Sequence, residues 1–155
     1  MIKKMKVLLQ TVKEAHVDIL GKTVGKINQG YLLLVGFTDG DDQEIVDKMV
    51  DKILSLRVFA DEHRQINLSL QDVNGSILSV SQFTLYANTK KGRRPSFIDA
   101  LKPHDAEILY DYFNNQLEHK YRPISTGVFG ADMLVYSIND GPFTVMLDSK
   151  ELFES

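Results

Sequence analysis

"GYLLLVGFT", Gly30 to Thr38, is a near-continuous apolar run bounded by a glycine at one end and by the polar turn "TDGDD" at the other. A strand with one wet face alternates apolar and polar residues. This run does not alternate, so it is predicted to be a strand buried on both faces, the centre of a sheet with protein on either side. Upstream, strand signals occur in "MKVLLQTV" (Met5 to Val12), "AHVDIL" (Ala15 to Leu20) and "GKTVGKI", which makes four strands before any helix.

The period then changes. In "DDQEIVDKMVDKILSLRVF", Ile45, Val46, Met49, Val50, Ile53 and Leu54 recur on one helical face, and Asp41 or Asp42 is placed to cap the free amides at its start. Asn74-Gly75 is a hairpin-turn signal, followed by the strand "ILSVSQFTLYA". A second helix is predicted from Pro103 to about Tyr121, with Ile108, Leu109, Tyr112, Phe113 and Leu117 on its apolar face. The strands "DMLVYSIN" and "FTVMLDS" flank the turn "NDGP". Short connections favour antiparallel pairing, so the expected fold is α+β: a small, β-barrel-like, mainly antiparallel sheet with two outer helices. At 155 residues, one domain spanning 1–155 is expected.

With no cysteine, the fold depends on no disulfide or thiolate metal site, which suits a reducing compartment and makes the cytoplasm the expected location. The apolar run before Gln10 is too short for a secretory signal, and no stretch is long enough to span a membrane. There is no G-x-S-x-G elbow, phosphate loop, H-E-x-x-H or G-x-G-x-x-G. His16, His63, His104 and His119 are scattered without ligand spacing. Neither a metal nor a cofactor is expected, so any chemistry must use hydroxyls, backbone groups or the substrate itself.

Two stretches remain to be explained. Strand alternation in "SVSQFTLYA" puts Ser79, Ser81, Phe83 and Leu85 on one face and Val80, Gln82, Thr84 and Tyr86 on the other, neither cleanly apolar. The plain reading is a half-solvated strand. Immediately after it, Lys90, Lys91, Arg93 and Arg94 concentrate positive charge in a chain whose formal net charge is −3. Such a block is either a solvated loop or a phosphate-binding one. "NDGP" is ordinarily a hairpin turn, but a cis bond before Pro142 would turn the Gly141 and Pro142 carbonyls into a backbone probe.

"SQFTLYA", "KKGRRPSF", "TGVFGADM" and "NDGP", in this order and spacing over nearly the whole chain, resemble the D-aminoacyl-tRNA deacylases. The resemblance implies a homodimer that hydrolyses the ester of D-aminoacyl-tRNA, with aminoacylated tRNA as partner and neither membrane nor DNA involved. It implies that Ser81, Gln82, Phe83 and Thr84 line the site of the terminal adenosine and its ester. Backbone amides of Phe83 and Thr84 would act on the reacting carbonyl, and Phe129 and Met133 would line the adenosine end. Gly141 and Pro142 would enter the partner's site as a chirality filter, and Lys90, Lys91, Arg93 and Arg94 would hold the tRNA backbone. Glycyl-tRNA would pass such a filter. Members usually carry Gln-Arg-Val where this chain has Gln10-Thr11-Val12, and Thr11 is expected to lack the reach to fix the Gly-Pro segment. "MIKK" precedes the usual family start, near Met5. The other readings are a non-enzymatic RNA-binding module and a Thr84-dependent esterase of small molecules.

Overall fold

A computed structural model describes residues 5–154, and the "MIKK" extension lies outside them. The chain runs β1 (Lys6–Ile19), β2 (Lys22–Ile27), β3 (Gly30–Gly36), α1 (Gln43–Ser55), β4 (Phe59–Ala60), β5 (Ile66–Leu68) and β6 (Ser76–Ser81). A 3-10 turn (Phe83–Tyr86), α2 (Pro103–Lys120), β7 (Ser125–Thr126), β8 (Leu134–Asp148) and α3 (Ser149–Phe153) follow. One sheet orders its strands β2-β1-β3-β6-β7, with β8 along the other edge of β1. It curls until its ends meet: Ser125 Oγ of β7 donates to the Lys26 carbonyl of β2 at 3.1 Å.

The apolar run of β3 is buried on both faces, as its lack of alternation implied. Tyr31, Leu33 and Val35 face the main core, where Val46, Met49 and Ile53 of α1 and Leu109, Phe113 and Leu117 of α2 cover them. Leu32 turns the other way, into a smaller core inside the curl with Val12, Val17, Ile27, Leu78 and Val80. Both helices therefore lie outside the sheet. Asp42 caps α1 by accepting the Ile45 amide at 3.1 Å, and Pro103 opens α2, where its missing N–H costs no hydrogen bond.

Several expectations are corrected. The two N-terminal strands are one, β1, because β8 pairs with it on both sides of Lys13, shifting register between Val12 and Glu14, while its other edge passes from β3 at Val12 to β2 at Ala15. The two C-terminal strands are likewise one. Residues on both sides of "NDGP" pair with the same partner, so the chain bulges there instead of reversing. β3 pairs with β6 and β6 with β7 in parallel, α1 and α2 serving as crossovers that residue-by-residue turn signals do not reveal. Asn74-Gly75 makes a turn, with the Gly75 amide on the Leu70 carbonyl at 2.9 Å, but β5 pairs with β4 and no hairpin forms there. On α2, Ile108 is exposed and Tyr110 is buried in its place, its hydroxyl donating to the Ser79 carbonyl at 2.8 Å. A short third helix, α3, adds to the expected two.

Leu33 is fully buried at the centre of this arrangement. Leu33→Ala is expected to lower the unfolding free energy by about 2–5 kcal/mol in urea titration, through lost burial and the cavity left behind; a loss well under 1 kcal/mol would mean that β3 is not the packed centre.

Candidate active site

The site begins where β6 runs out. At Ser81 the chain stops alternating: the Gln82 amide bonds the Val35 carbonyl of β3 at 2.7 Å, and Phe83–Tyr86 tighten into the 3-10 turn. The expected strand faces beyond Ser81 are thereby overturned. Tyr86 is buried, while Phe83 is 54% exposed and Thr84 is exposed too. Gly36 permits this close approach, since a Cβ there would stand 3.0 Å from the Gln82 carbonyl oxygen and 3.1 Å from the Tyr86 ring. Burial, helped by the charges of Asp41 and Asp148, raises the Tyr86 phenol well above its ordinary range, and the Lys6 ammonium lies 4.9 Å from the ring centre.

Two further segments complete a pocket of about 590 Å³. One is residues 97–102, tied to the end of β3 by the Leu101 amide on the Phe37 carbonyl at 3.0 Å and by the Thr38 hydroxyl on the Asp99 carbonyl. Phe97 there meets Phe83 edge-on, ring centres 5.1 Å apart. The other is residues 127–133, tied to β6 by the Gly127 amide on the Ser79 carbonyl at 3.1 Å. Phe129 from it lies 6.0 Å from the buried Tyr110 ring. Burial is the main cause holding the Tyr110 hydroxyl above its usual range, against the opposing hydrogen bonds of Ser79 and Asn114, so it stays a neutral donor beneath the wall.

The pocket thus gathers Ser81, Gln82 and Phe83 with Phe129 and Met133. Thr84 is not in its lining; its hydroxyl accepts from Gln82 Nε2. None of the four histidines is in the lining either. Within the 3-10 turn the first internal bond runs from the Leu85 amide to the Gln82 carbonyl, at 3.2 Å, so the amides of Phe83 and Thr84 precede it, as at any helix start. Reading the sequence missed Lys102 and Asp132, the charged groups of the lining. Each had a signal: Lys102 stands beside the conspicuous Pro103, and Asp132 lies within "TGVFGADM", between Phe129 and Met133.

Lys90, Lys91, Arg93 and Arg94 are exposed on the loop that leads away from the 3-10 turn. Paired Asn88 and Ser96 close its base with two 2.8 Å hydrogen bonds, and Gly92, at φ 65°, bends its tip. Among the described residues none of the four cations makes an ion pair.

Gly141 and Pro142 are not in the lining of their own chain's pocket. They are exposed in the bulge of β8, joined by a cis peptide bond, with Gly141 at φ +138°, which favours glycine. Contrary to expectation, Thr11 does reach this segment. It is 5% exposed, and its hydroxyl donates to the Asp140 carbonyl at 2.8 Å.

Known proteins resemble this chain along most of its length. The family described as D-Tyr-tRNA(Tyr) deacylase matches residues 8–148. Proteins of Lactobacillus acidophilus and Lactobacillus helveticus, both named D-aminoacyl-tRNA deacylase, are each 56% identical over 144 residues, which cover 93% of this chain and 99% of theirs. Among solved structures, the c-Myc DNA Unwinding Element Binding Protein is similar with a TM-score of 0.87 and 41% identity, over 92% of this chain and 97% of that one. A probable eukaryotic D-amino acid tRNA deacylase shares the fold with a TM-score of 0.80 at 22% identity, over 94% and 99% of the two chains. Matched along most of its length by the family and by its curated relatives, this chain belongs to the D-aminoacyl-tRNA deacylases and is a hydrolase.

Proposed function

We propose that the pocket binds the terminal adenosine of a D-aminoacyl-tRNA, that Gly141 and Pro142 of a second copy reject L-aminoacyl esters there, and that the tRNA 2'-hydroxyl assists hydrolysis. The observation that carries this reading is the convergence of Ser81, Gln82 and Phe83 with Phe129 and Met133 in one largely apolar pocket. Its aromatic walls suit a nucleobase, which stacks on side-chain rings, and the cationic loop lies next along the chain for the phosphates behind it.

In the reaction, water oxygen bonds to the ester carbonyl carbon, the bond from that carbon to the ribose 3'-oxygen breaks, and the 3'-oxygen takes up a proton. The amides of Phe83 and Thr84 supply donors for the oxyanion formed on the way, acting as preorganised dipoles. Thr84 is a poor nucleophile in this setting. Its hydroxyl is partnered by the Gln82 carboxamide, which takes up no proton at neutral pH, and no histidine lines the pocket. The vicinal 2'-hydroxyl is already held beside the ester and helps activate water without a protein base. These points weigh against the Thr84-dependent esterase, and membership of a hydrolase family weighs against the binding-only module.

Discrimination of hand is proposed to work by exclusion. With the ester and the ammonium group fixed, the Cα hydrogen and side chain exchange places between D and L forms. Main-chain atoms close to one of those places reject an L side chain and accept many D ones. Glycyl-tRNA, having no side chain, passes.

A homodimer is proposed because Gly141 and Pro142 are exposed and outside their own pocket, on a strand paired only with β1 among the described residues. The same strand exposes Leu134, Tyr136, Ile138 and Met146, an apolar row suited to burial against a second copy.

Purified protein is expected to hydrolyse D-tyrosyl-tRNA and leave L-tyrosyl-tRNA intact in matched ester-loss assays; equal loss of both would refute the filter. Removing a true nucleophile costs on the order of a millionfold in turnover, whereas Thr84→Ala is expected to stay within about tenfold of the parent. A far larger loss with tRNA binding retained would restore Thr84 as nucleophile.

Replacing Lys90, Lys91, Arg93 and Arg94 by glutamine should weaken tRNA binding and flatten its dependence on salt, by a slope of about 0.7–0.9 for each phosphate that is no longer neutralised. An unchanged slope across a salt titration would remove the loop from the tRNA interface.

A further inference from the structure

The bulge carrying Gly141 and Pro142 is held from its two ends. β1 sets Gln10 opposite Thr144 and Val12 opposite Asn139, so Thr11 alone stands across from the four residues 140–143. On its other edge Thr11 pairs with Tyr31 of β3, which fixes its main chain independently of β8. At the near end of the bulge its hydroxyl holds the Asp140 carbonyl at 2.8 Å. At the far end Asn139 Oδ1 accepts the Phe143 amide at 3.0 Å, and the Phe143 ring packs against the main core. The Thr144 hydroxyl accepts from both Asn139 Nδ2 and Gln10 Nε2, at 2.9 and 3.0 Å, joining the two strands below the bulge.

We infer that Thr11 is a positioning residue for discrimination of substrate hand, its hydroxyl setting the place of the Asp140 carbonyl and through it that of Gly141-Pro142. The inference rests on the proposed Gly-Pro filter and deepens it. A filter made of main-chain atoms works by clearance, so the anchors that fix its position set its selectivity. Asp140 is the residue next to Gly141, and the Thr11 contact is the tie from rigid, doubly paired β1 to that side of the bulge. In Thr11→Val the shape of the side chain is kept, but the Asp140 carbonyl faces a methyl group and loses its donor. In Thr11→Ser the donor is kept. A hydroxyl that merely satisfied a buried polar group would affect stability and leave the ratio of D to L turnover unchanged.

The test measures single-turnover hydrolysis of D-tyrosyl- and L-tyrosyl-tRNA by the parent, Thr11→Val and Thr11→Ser, with thermal melts and amide hydrogen exchange on the same three proteins. The parent arm tests the filter itself: a parent indifferent to hand defeats the underlying reading. With a selective parent, Thr11→Val is expected to lose about 3- to 10-fold of the D-over-L ratio, the scale of one hydrogen bond, with Thr11→Ser within about twofold of the parent. Exchange at the Gly141 and Phe143 amides should rise in Thr11→Val while the helices stay protected. Parental selectivity in Thr11→Val, or equal loss of selectivity in the valine and serine variants, would overturn the inference. Should Thr11→Val melt too low to assay, unchanged exchange at Gly141 and Phe143 in the folded protein at low temperature would overturn it equally.

Discussion

Most of the molecule depends on the antiparallel ladder between β1 and β8 and on the one place where that ladder breaks. Eleven residues of β1, from Lys6 to Asp18, have direct partners on β8, while the other edge of β1 is taken by β3 and then β2. A strand paired on both edges has few ways to move. The four residues of β8 opposite Thr11, three more than a continuous ladder would place there, must therefore leave the sheet, and they carry Gly141 and Pro142 with them. β8 itself, paired on one side among the described residues, presents its exposed apolar row where a second copy can meet it.

The pocket follows from the other side of the same sheet. β3 holds β6 in parallel, and the absence of a side chain at Gly36 lets the chain after β6 fold tightly across the end of β3. That turn presents Phe83 to the pocket while it buries Tyr86. The same end of β3 ties down residues 97–102, so one strand terminus positions two walls. The third wall is hung from Ser79, whose carbonyl receives both the Gly127 amide and the Tyr110 hydroxyl. Buried polar groups here act as geometry, linking a helix, a strand and a loop around one space.

What was legible in the sequence was local. The unbroken run at Tyr31–Val35 announced a strand buried on both faces, and the period of α1 with its Asp42 cap announced a helix. Motif residues were legible as well, since Ser81, Gln82, Phe83, Phe129 and Met133 do share one pocket. What depended on distant partners was not. "NDGP" has the composition of a hairpin turn, and only pairing of both its flanks with β1 makes it a bulge. "SVSQFTLYA" continues a strand pattern past Ser81, but the contact with Gly36 ends the strand there. Thr11 looked like the loss of a longer side chain. Its bond to Asp140 joins residues 129 positions apart, and sequence spacing carries no trace of it.

The central claim is that Gly141-Pro142 of one copy completes the pocket of the other, and mixed dimers test it most directly. Let one chain carry Ala131→Trp, which fills its pocket, and the other carry Gly141→Ala with Pro142→Ala; two different affinity tags then isolate the heterodimer. Its only open pocket belongs to the chain whose own Gly-Pro segment is altered. Parental preference for D-tyrosyl- over L-tyrosyl-tRNA in this heterodimer is the predicted result, because the unaltered segment arrives from the pocket-filled partner. Turnover with the weakened selectivity of the Gly141→Ala, Pro142→Ala homodimer would place the filter within a single chain and contradict the account.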